Sequence, residues 1–159
     1  MVNHLYRSKA DRRHEQTDLL NDWASNQELP VIAVGDYNFD WSVTDGDLNH
    51  DKGYDNLTAN NVFQWVRPET LHKTHDSHFN SVLDFVFVSD DAKNWAVSST
   101  ILVEPNDFPD TNKTSDHRPV RARFNLAQVE KVTKQDILNR IEDLEKNIEE
   151  LKRMVEQLP

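Results

Sequence analysis

The sequence predicts an α/β domain followed by a separate amphipathic helix. Three observations carry this reading. Val31-Ile32-Ala33-Val34 is a continuous apolar run, the pattern of a strand buried on both faces. Val82-Leu83-Asp84-Phe85-Val86-Phe87-Val88 is rich in β-branched and aromatic residues and is the best strand in the chain. Ile137, Ile141, Leu144, Ile148, Leu151, Val155 and Leu158 recur at alternating steps of four and three, a helical seam.

The remaining elements follow in chain order. Met1-Val2-Asn3-His4-Leu5 reads as the end of a strand that has no beginning. Ser8-Lys9-Ala10-Asp11 has the form of a capping box, and the helix it opens carries Leu19, Leu20, Trp23 and Ala24 as an apolar face. Asn26 and Pro30 mark its exit. The strand at Val31–Val34 runs into Gly35-Asp36-Tyr37-Asn38-Phe39-Asp40-Trp41 and then a loop rich in Asp and Asn. Residues 54–60 suit a short helix, and residues 62–66 a strand ended by Pro68. Residues 69–81 form a histidine-rich loop. Strands at 82–88, 96–103 and 120–126 complete the body, with a Pro/Asp/Asn loop at 105–114. Thr133 with Asp136 starts the tail helix. Its seam has Ile or Val at a and Leu at d, which favours parallel two-stranded coils, and Arg140 and Glu145 can pair between chains. A coiled coil and an amphipathic helix packed on its own domain both remain open. The expected organisation is a domain over residues 1–129 and a helical tail over residues 130–159.

Composition narrows the function. The chain has 159 residues and a formal net charge of −10. Six basic and eight acidic residues between 130 and 159 leave −8 on the body, which argues against loose, charge-driven nucleic-acid binding. It is compatible with carboxylates grouped around a divalent cation. Zero Cys excludes disulfides, thiolate zinc sites and Cys nucleophiles. Three Gly exclude a Walker loop and a dinucleotide fingerprint. No run approaches the roughly 20 apolar residues of a membrane span, so no membrane partner is expected. The N-terminus lacks a basic stretch followed by an apolar one, so no signal peptide is expected on this chain; the compartment stays open.

Asp84 is the most informative single residue. Strand alternation puts it on the face of Val82, Val86 and Val88, and a lone carboxylate there is costly unless a His, an Arg or a metal meets it. Asp36 and Asn38 follow directly after a buried strand, where open sheets place ligands. Asp can bind a hard cation or activate water, and Asn can orient that water or a phosphoryl oxygen. Gly-Asp-Tyr-Asn is also ordinary turn chemistry. Asp116-His117 stands before a Pro and a strand. Its adjacent side chains diverge, and His suits proton transfer near neutrality.

Taken in order, His4-Leu5, Gly35-Asp36-Tyr37-Asn38, Leu83-Asp84-Phe85-Val86 and Ser115-Asp116-His117-Arg118-Pro119-Val120 resemble the endonuclease/exonuclease/phosphatase family. This is the metal-dependent phosphoesterase superfamily of deoxyribonuclease I, exonuclease III, sphingomyelinases and inositol-polyphosphate phosphatases. The resemblance runs over about residues 2–126 and is strongest to bacterial members with V-N-H-L, G-D-Y-N-F-D and T-S-D-H-R-P-V. It implies the carboxyl half of a two-layer β-sandwich with flanking helices. It implies that Asp36 positions or deprotonates the attacking water or binds metal, that Asn38 holds that water or a phosphate oxygen, and that Asp116 is a metal ligand. His117 would contact the scissile phosphate, oriented and kept cationic by Asp84, and His4 would act near the leaving group. The implied cofactor is Mg2+ or Mn2+, with Ca2+ open. Tyr37, Asn38, Trp41 and Arg118 are the expected substrate contacts, with Tyr37 and Trp41 offering rings to stack on.

Family members begin with another half-domain that supplies a second layer, an Asn and a Glu metal ligand. Nothing in this sequence matches them. Two function classes therefore stand. The first is a divalent-metal-dependent phosphoesterase, a phosphodiesterase or nuclease by default. The second is a non-catalytic half-domain that assembles with another chain through its tail or through an uncovered sheet face at 31–34 and 82–88. His72-x-x-His75-x-x-His78 has the residue type for a transition metal but is expected to be a solvated loop. Asp40, Asp45, Asp47, Asp51 and Asp55 suggest calcium by composition, yet their spacing is not an EF-hand and a solvated loop is expected. Trp23, Trp65 and Trp95 are expected at the core or its boundary.

Overall fold

The computed structural model describes residues 1–109, 114–126 and 134–156. Its elements are β1 (Val2–His4), α1 (Ala10–Ser25), β2 (Ile32–Ser42), α2 (Lys52–Thr58) with a 3-10 turn at Ala59–Asn61, β3 (Phe63–Trp65), β4 (Ser81–Ser89), α3 (Ala92–Trp95), β5 (Ala96–Ile101), β6 (Val120–Phe124) and α4 (Lys134–Glu156). The fold is mixed α/β, as the sequence predicts. Two compact units result, Met1–Leu126 and Ala127–Pro159.

In the first unit, β1, β2, β4 and β3 form one sheet in that spatial order, and β5 and β6 form a second. β1 runs parallel to β2, while the β2–β4 and β3–β4 pairs are antiparallel. Alternation along β4 divides its side chains between two clusters. Phe85 and Phe87 join Tyr37, Phe39, Phe63, Leu57 and Trp65 in an aromatic cluster. Val86 and Val88 face the other way and pack with Ile32, Val34, Val120, Ala122 and Phe124. Five of the aromatic cluster's rings, Tyr37, Phe39, Phe63, Phe85 and Phe87, are fully buried, each stabilising the fold by about 1.5–3 kcal/mol.

The second cluster corrects the expectation of an uncovered sheet face. Residues of β6 cover Val86 and Val88, which are 3% and 0% exposed. The face stays open at its β1 edge, where Val2 is 82% exposed. Val82, expected on the face of Asp84, instead packs in the aromatic cluster.

β2 runs eight residues past the predicted apolar core, to Ser42. The reason is a second alternation: Tyr37, Phe39 and Trp41 each send a ring into the core and carry the strand onward. A bulge lies within this stretch, because Asp36 pairs with Asp84 and the next paired residue, Trp41, meets Val82. Asn38 and Asp40 take up the extra length with φ of 53° and 46°, the left-handed region that Asn and Asp tolerate best.

α1 begins at Ala10 with Lys9 as its N-cap, and no side chain caps it. The capping box expected at Ser8–Asp11 therefore does not form: Ser8 sits one residue too early to be the cap. The apolar face expected on this helix holds for Leu20 and Ala24, which pack on the aromatic cluster, and is corrected for Leu19 and Trp23, which are exposed; Arg13, Thr17 and Asn21 are buried in their place. Polar contacts hold this face. The Arg13 guanidinium donates to both Asp51 carboxylate oxygens at 3.1 and 2.6 Å and to the carbonyls of Tyr6 and Arg7. Asp51 also accepts from the Gly53 N–H and so caps α2. Asn21 donates to the Leu57 and Ala59 carbonyls at the end of α2. The acidic loop is thus structural at Asp51, the reverse of a solvated side chain.

α4 leaves Ile137, Ile141, Leu144 and Ile148 exposed along its seam, and Arg140 and Glu145 are exposed too. Thr133, Leu158 and the side chains of Leu151 and Val155 lie outside the described residues. No helix among the described residues is long and apolar enough to cross a membrane.

Removing Asp51 strands a buried guanidinium. Asp51→Ala is expected to cost about 3–5 kcal/mol in urea unfolding at neutral pH. Burial opposes the Asp51 charge, but the Arg13 and Gly53 hydrogen bonds outweigh it and hold the carboxyl below its usual range. Its contribution is therefore present above the unfolded pKa and is lost as pH falls through the folded one. The gap between wild type and variant should narrow in acid; a gap that is constant with pH would refute the pairing.

Candidate active site

The site is built where β1, β2 and β4 run side by side. β1 lies alongside β2 with His4 opposite Asp36, and the Leu5 N–H donates to the Asp36 carbonyl at 2.9 Å. Gly35 makes this approach possible. Its φ is +138°, and a Cβ there would stand 1.9 Å from the Asn3 carbonyl oxygen. The glycine of Gly-Asp-Tyr-Asn is thus a close-approach residue, and it brings His4 beside Asp36.

Four predicted residues converge. The His4 Nε2 is 3.5 Å from Asp36 Oδ2, and the His117 Nε2 is 3.9 Å from the same oxygen. The other ring nitrogen of His117 meets Asp84 Oδ2 at 2.8 Å. Asp84 in turn is paired with Asp36 across the β2–β4 ladder. The expectation that a buried-face carboxylate has a partner therefore holds in the geometry: that partner is His117.

These contacts set the protonation of the group. The Asp84 hydrogen bond raises the His117 pKa above its ordinary value despite partial burial, with Asp84, Asp36 and Asp116 adding negative charge nearby. Burial raises the Asp36 pKa, and the Asp84 charge adds to it; the Asn38 N–H and the two histidines pull it back. Asp36 is therefore a carboxylate that positive charge would relieve, and the His4 and His117 rings are both within 4 Å of it.

Asn38 is brought close as well. Its N–H donates to Asp36 Oδ1 at 2.9 Å, and its side-chain amide donates to the Leu5 carbonyl at 3.1 Å. The bulge in β2 turns this residue inward, where it is 3% exposed. It links β1 to Asp36, with its amide oxygen as the end left to accept.

The structure does not bring every expected residue to the site. Tyr37 is 0% exposed, with its hydroxyl accepting from Asn3 and its ring against Phe87. Trp41 is 3% exposed, stacked on His50 at 4.5 Å. Neither has a ring face for a substrate, because strand alternation spends both in the core. Arg118 is committed to a bidentate pair with Asp107, to the Lys73 carbonyl and to the Phe108 ring. That pairing holds Asp107 at a pKa of about 2. Trp23, expected at a core boundary, is 43% exposed.

Two residues enter that sequence reasoning did not assign. Thr74 is fully buried, and its hydroxyl accepts from the N–H groups of Leu83 and Asp84, which fixes the start of β4 and so the Asp84 position. His75 forms a bridge with His117, and its Nε2 is 3.6 Å from Asp116 Oδ2. One ligand atom each from His75, Asp116 and His117 lie within 4.8 Å of one another. His72 and His78 are exposed and take no part. The repeated histidine spacing did signal this residue, but not which of the three folds back.

Two strand layers, helices packed on one of them and a carboxylate–imidazole group at the strand ends define a mixed α/β fold with a candidate site for acid–base chemistry. The profile of the endonuclease/exonuclease/phosphatase family matches residues 2–117, and the chain belongs to that family. Among solved structures, it is similar to a family protein from Bacteroides thetaiotaomicron, at 21% identity and a TM-score of 0.57, covering 80% of this chain and 49% of that one. It is also similar to a mannosyl-6-phosphatase of that organism, at 20% identity and a TM-score of 0.55, covering 79% and 50%. A 3′ phosphatase from Neisseria, bound to a product DNA hairpin, is similar at 14% identity and a TM-score of 0.53, covering 72% and 52%. The chain spans about half the length of these structures. No curated protein matches.

The Asp84–His117 contact yields a direct expectation. In metal-free protein, the His117 ring should titrate above the ordinary value of about 6.5 by NMR. Asp84→Asn should lower that pKa. The pair stabilises the fold below the unfolded His pKa and ceases to as pH rises through the folded one. An unchanged His117 titration in Asp84→Asn would show that another group sets it.

Proposed function

We propose that the chain is a divalent-metal-dependent phosphoesterase, with phosphodiesters as its substrate class. The observation that carries this is the chain of contacts Asp84–His117–Asp36–His4. Phosphoester hydrolysis needs a water made nucleophilic, negative charge offset on the phosphoryl oxygens, and help for the departing alkoxide. Asp36, raised in pKa and close to two imidazoles, is the group to orient and deprotonate the water. His117, held cationic by Asp84, faces the phosphoryl oxygens. His4, exposed beside Asp36, supplies a proton toward the leaving group. Asn38 orients Asp36 through its N–H.

The residues fit a metal. Asp36 is a partly buried carboxylate with a second carboxylate opposite, a charge pattern that a cation relieves. Asp36 and Asp116 are the oxygen ligands proposed for Mg2+ or Mn2+, with Ca2+ an alternative of the same hard-cation chemistry. Such an ion supplies a Lewis acid at the phosphoryl group.

The substrate reading stays broad. One neighbour is named for a phosphosugar and another for a DNA 3′ phosphate, so both sugar and nucleic-acid phosphoesters are candidates. The −8 body disfavours a long nucleic acid held by its backbone charge. The proposed partner in catalysis is an amino-terminal half-domain of the same family, carrying the Glu ligand and further sandwich strands.

Hydrolysis of bis-p-nitrophenyl phosphate tests the proposal, with the chain alone and with an added family amino-terminal half. Mn2+- or Mg2+-dependent turnover is expected in one of the two, abolished by chelator. His117→Ala and Asp36→Asn should each lower it by about 10²–10⁴-fold. Turnover unaffected by both substitutions would refute the assignment.

A second reading, assembly through the tail, is favoured by the exposed seam of α4. The heptad spacing suits a parallel pair of these helices. Sedimentation should give a dimer for the full chain and a monomer for Leu144→Asp; a wild-type monomer at high concentration would end the idea.

A further inference from the structure

We propose that His75, with Asp116 and His117, binds a borderline transition-metal ion, zinc being the type case. This goes beyond the oxygen-ligand metal proposed above. It rests on that reading for the place of Asp116 and His117, and in the zinc-bound form His117 is a neutral ligand rather than the cation facing the phosphoryl oxygens.

The first observation is the grouping itself: two imidazole nitrogens and a carboxylate oxygen within 4.8 Å of one another. The donors come from two segments. His75 lies in the loop between β3 and β4, and Asp116 and His117 lie just before β6. Backbone hydrogen bonds lock the two together: the Asp76 N–H donates to the Asp116 carbonyl, and the Arg118 N–H to the Thr74 carbonyl, both at 2.8 Å. The ligand atoms are thus preorganised by a short ladder rather than by side-chain chance.

The second observation is the state of the His75 ring. It is 7% exposed, yet its Nδ1 has no hydrogen-bond partner and its Nε2 is 3.6 Å from Asp116, beyond hydrogen-bond reach. A buried imidazole held this loosely is costly, and an ion bound at Nε2 would give the ring the strong partner that Asp116 alone does not. The partner ring is prepared in the same sense. Asp84 engages the His117 Nδ1, the carboxylate–imidazole arrangement that orients a metal-ligating histidine and leaves Nε2 for the ion.

Donor chemistry selects the ion. Two imidazoles and one carboxylate suit Zn2+, Co2+ or Ni2+, whereas Mg2+ prefers all-oxygen shells. Three protein donors with Asp116 exposed leave a position open to water or phosphate, the pattern of a catalytic zinc site rather than a closed structural one.

The test is metal binding by the full chain, read without any turnover. Titration with Co2+ should give a visible absorption band of low-symmetry nitrogen coordination, saturating at one equivalent. Zn2+ should abolish the band, and a large excess of Mg2+ should not. His75→Ala should weaken Zn2+ binding by at least about tenfold in calorimetry, while His72→Ala and His78→Ala leave it unchanged. If His75→Ala does not fold, Asp116→Asn, at an exposed position, must show the same loss. Undiminished Zn2+ affinity in either folded variant, or no Co2+ band in the wild type, overturns the proposal. Zn2+ binding together with no turnover in either phosphodiester assay, with the chain alone or with an added amino-terminal half, would overturn the phosphoesterase reading and leave this one standing.

Discussion

Two carboxylates, Asp36 and Asp84, are held opposite each other by the β2–β4 register, and the site is organised around the charge this creates. Neither is solvated enough to ignore the other. Burial and mutual repulsion push Asp36 up, and Asp84 spends its charge on His117. The result is a carboxylate raised above its ordinary pKa and an imidazole raised above its own, with a second imidazole, His4, beside the carboxylate. Register in an antiparallel pair is set by side-chain packing over its whole length. The buried aromatic and valine residues of β4 therefore do more than stabilise the core. A slip of one residue would turn Asp84 toward the aromatic cluster and break the contact to His117.

Irregular backbone supplies what regular strands cannot. The β2 bulge takes Asn38 out of simple alternation and points it inward, so that one residue contacts both Asp36 and the end of β1. Gly35 lets β1 come close enough for His4 to reach Asp36. Thr74 fixes the first residues of β4 through two backbone N–H groups. Each device is local, and each lies within a few residues of the group that it positions.

The contrast between core and periphery runs through the molecule. The central sheet is packed on both faces with aromatic and branched side chains, whereas α1 is held mainly by Arg13, Asp51 and Asn21. Membership of the endonuclease/exonuclease/phosphatase family is clear, and the chain spans about half the length of the solved structures it resembles. Its open β1 edge, with Val2 exposed, and the exposed seam of α4 are surfaces on which more polypeptide would bury apolar area.

Fold class and the need of Asp84 for a partner were legible in the residues themselves. Hydrophobic runs marked β2 and β4, because a strand buried on both faces has no freedom to be polar. Asp84 stood out for the same reason, as a charge where burial forbids one without a partner. What the apolar run could not say was that β2 continues past Val34, with Tyr37, Phe39 and Trp41 buried through a bulge whose length is set by the pairing with β4. Nor could spacing say that His75, and not His72 or His78, folds back on Asp116. The polar part of the α1 face was not legible because a buried Arg13 is tolerable only with Asp51 opposite, 38 residues away in the chain. The sequence by itself determined which segments are buried and which residue types carry charge into them. Only the tertiary structure decided which of those charges meet, because pairing depends on register, bulges and long-range contacts that no local pattern encodes.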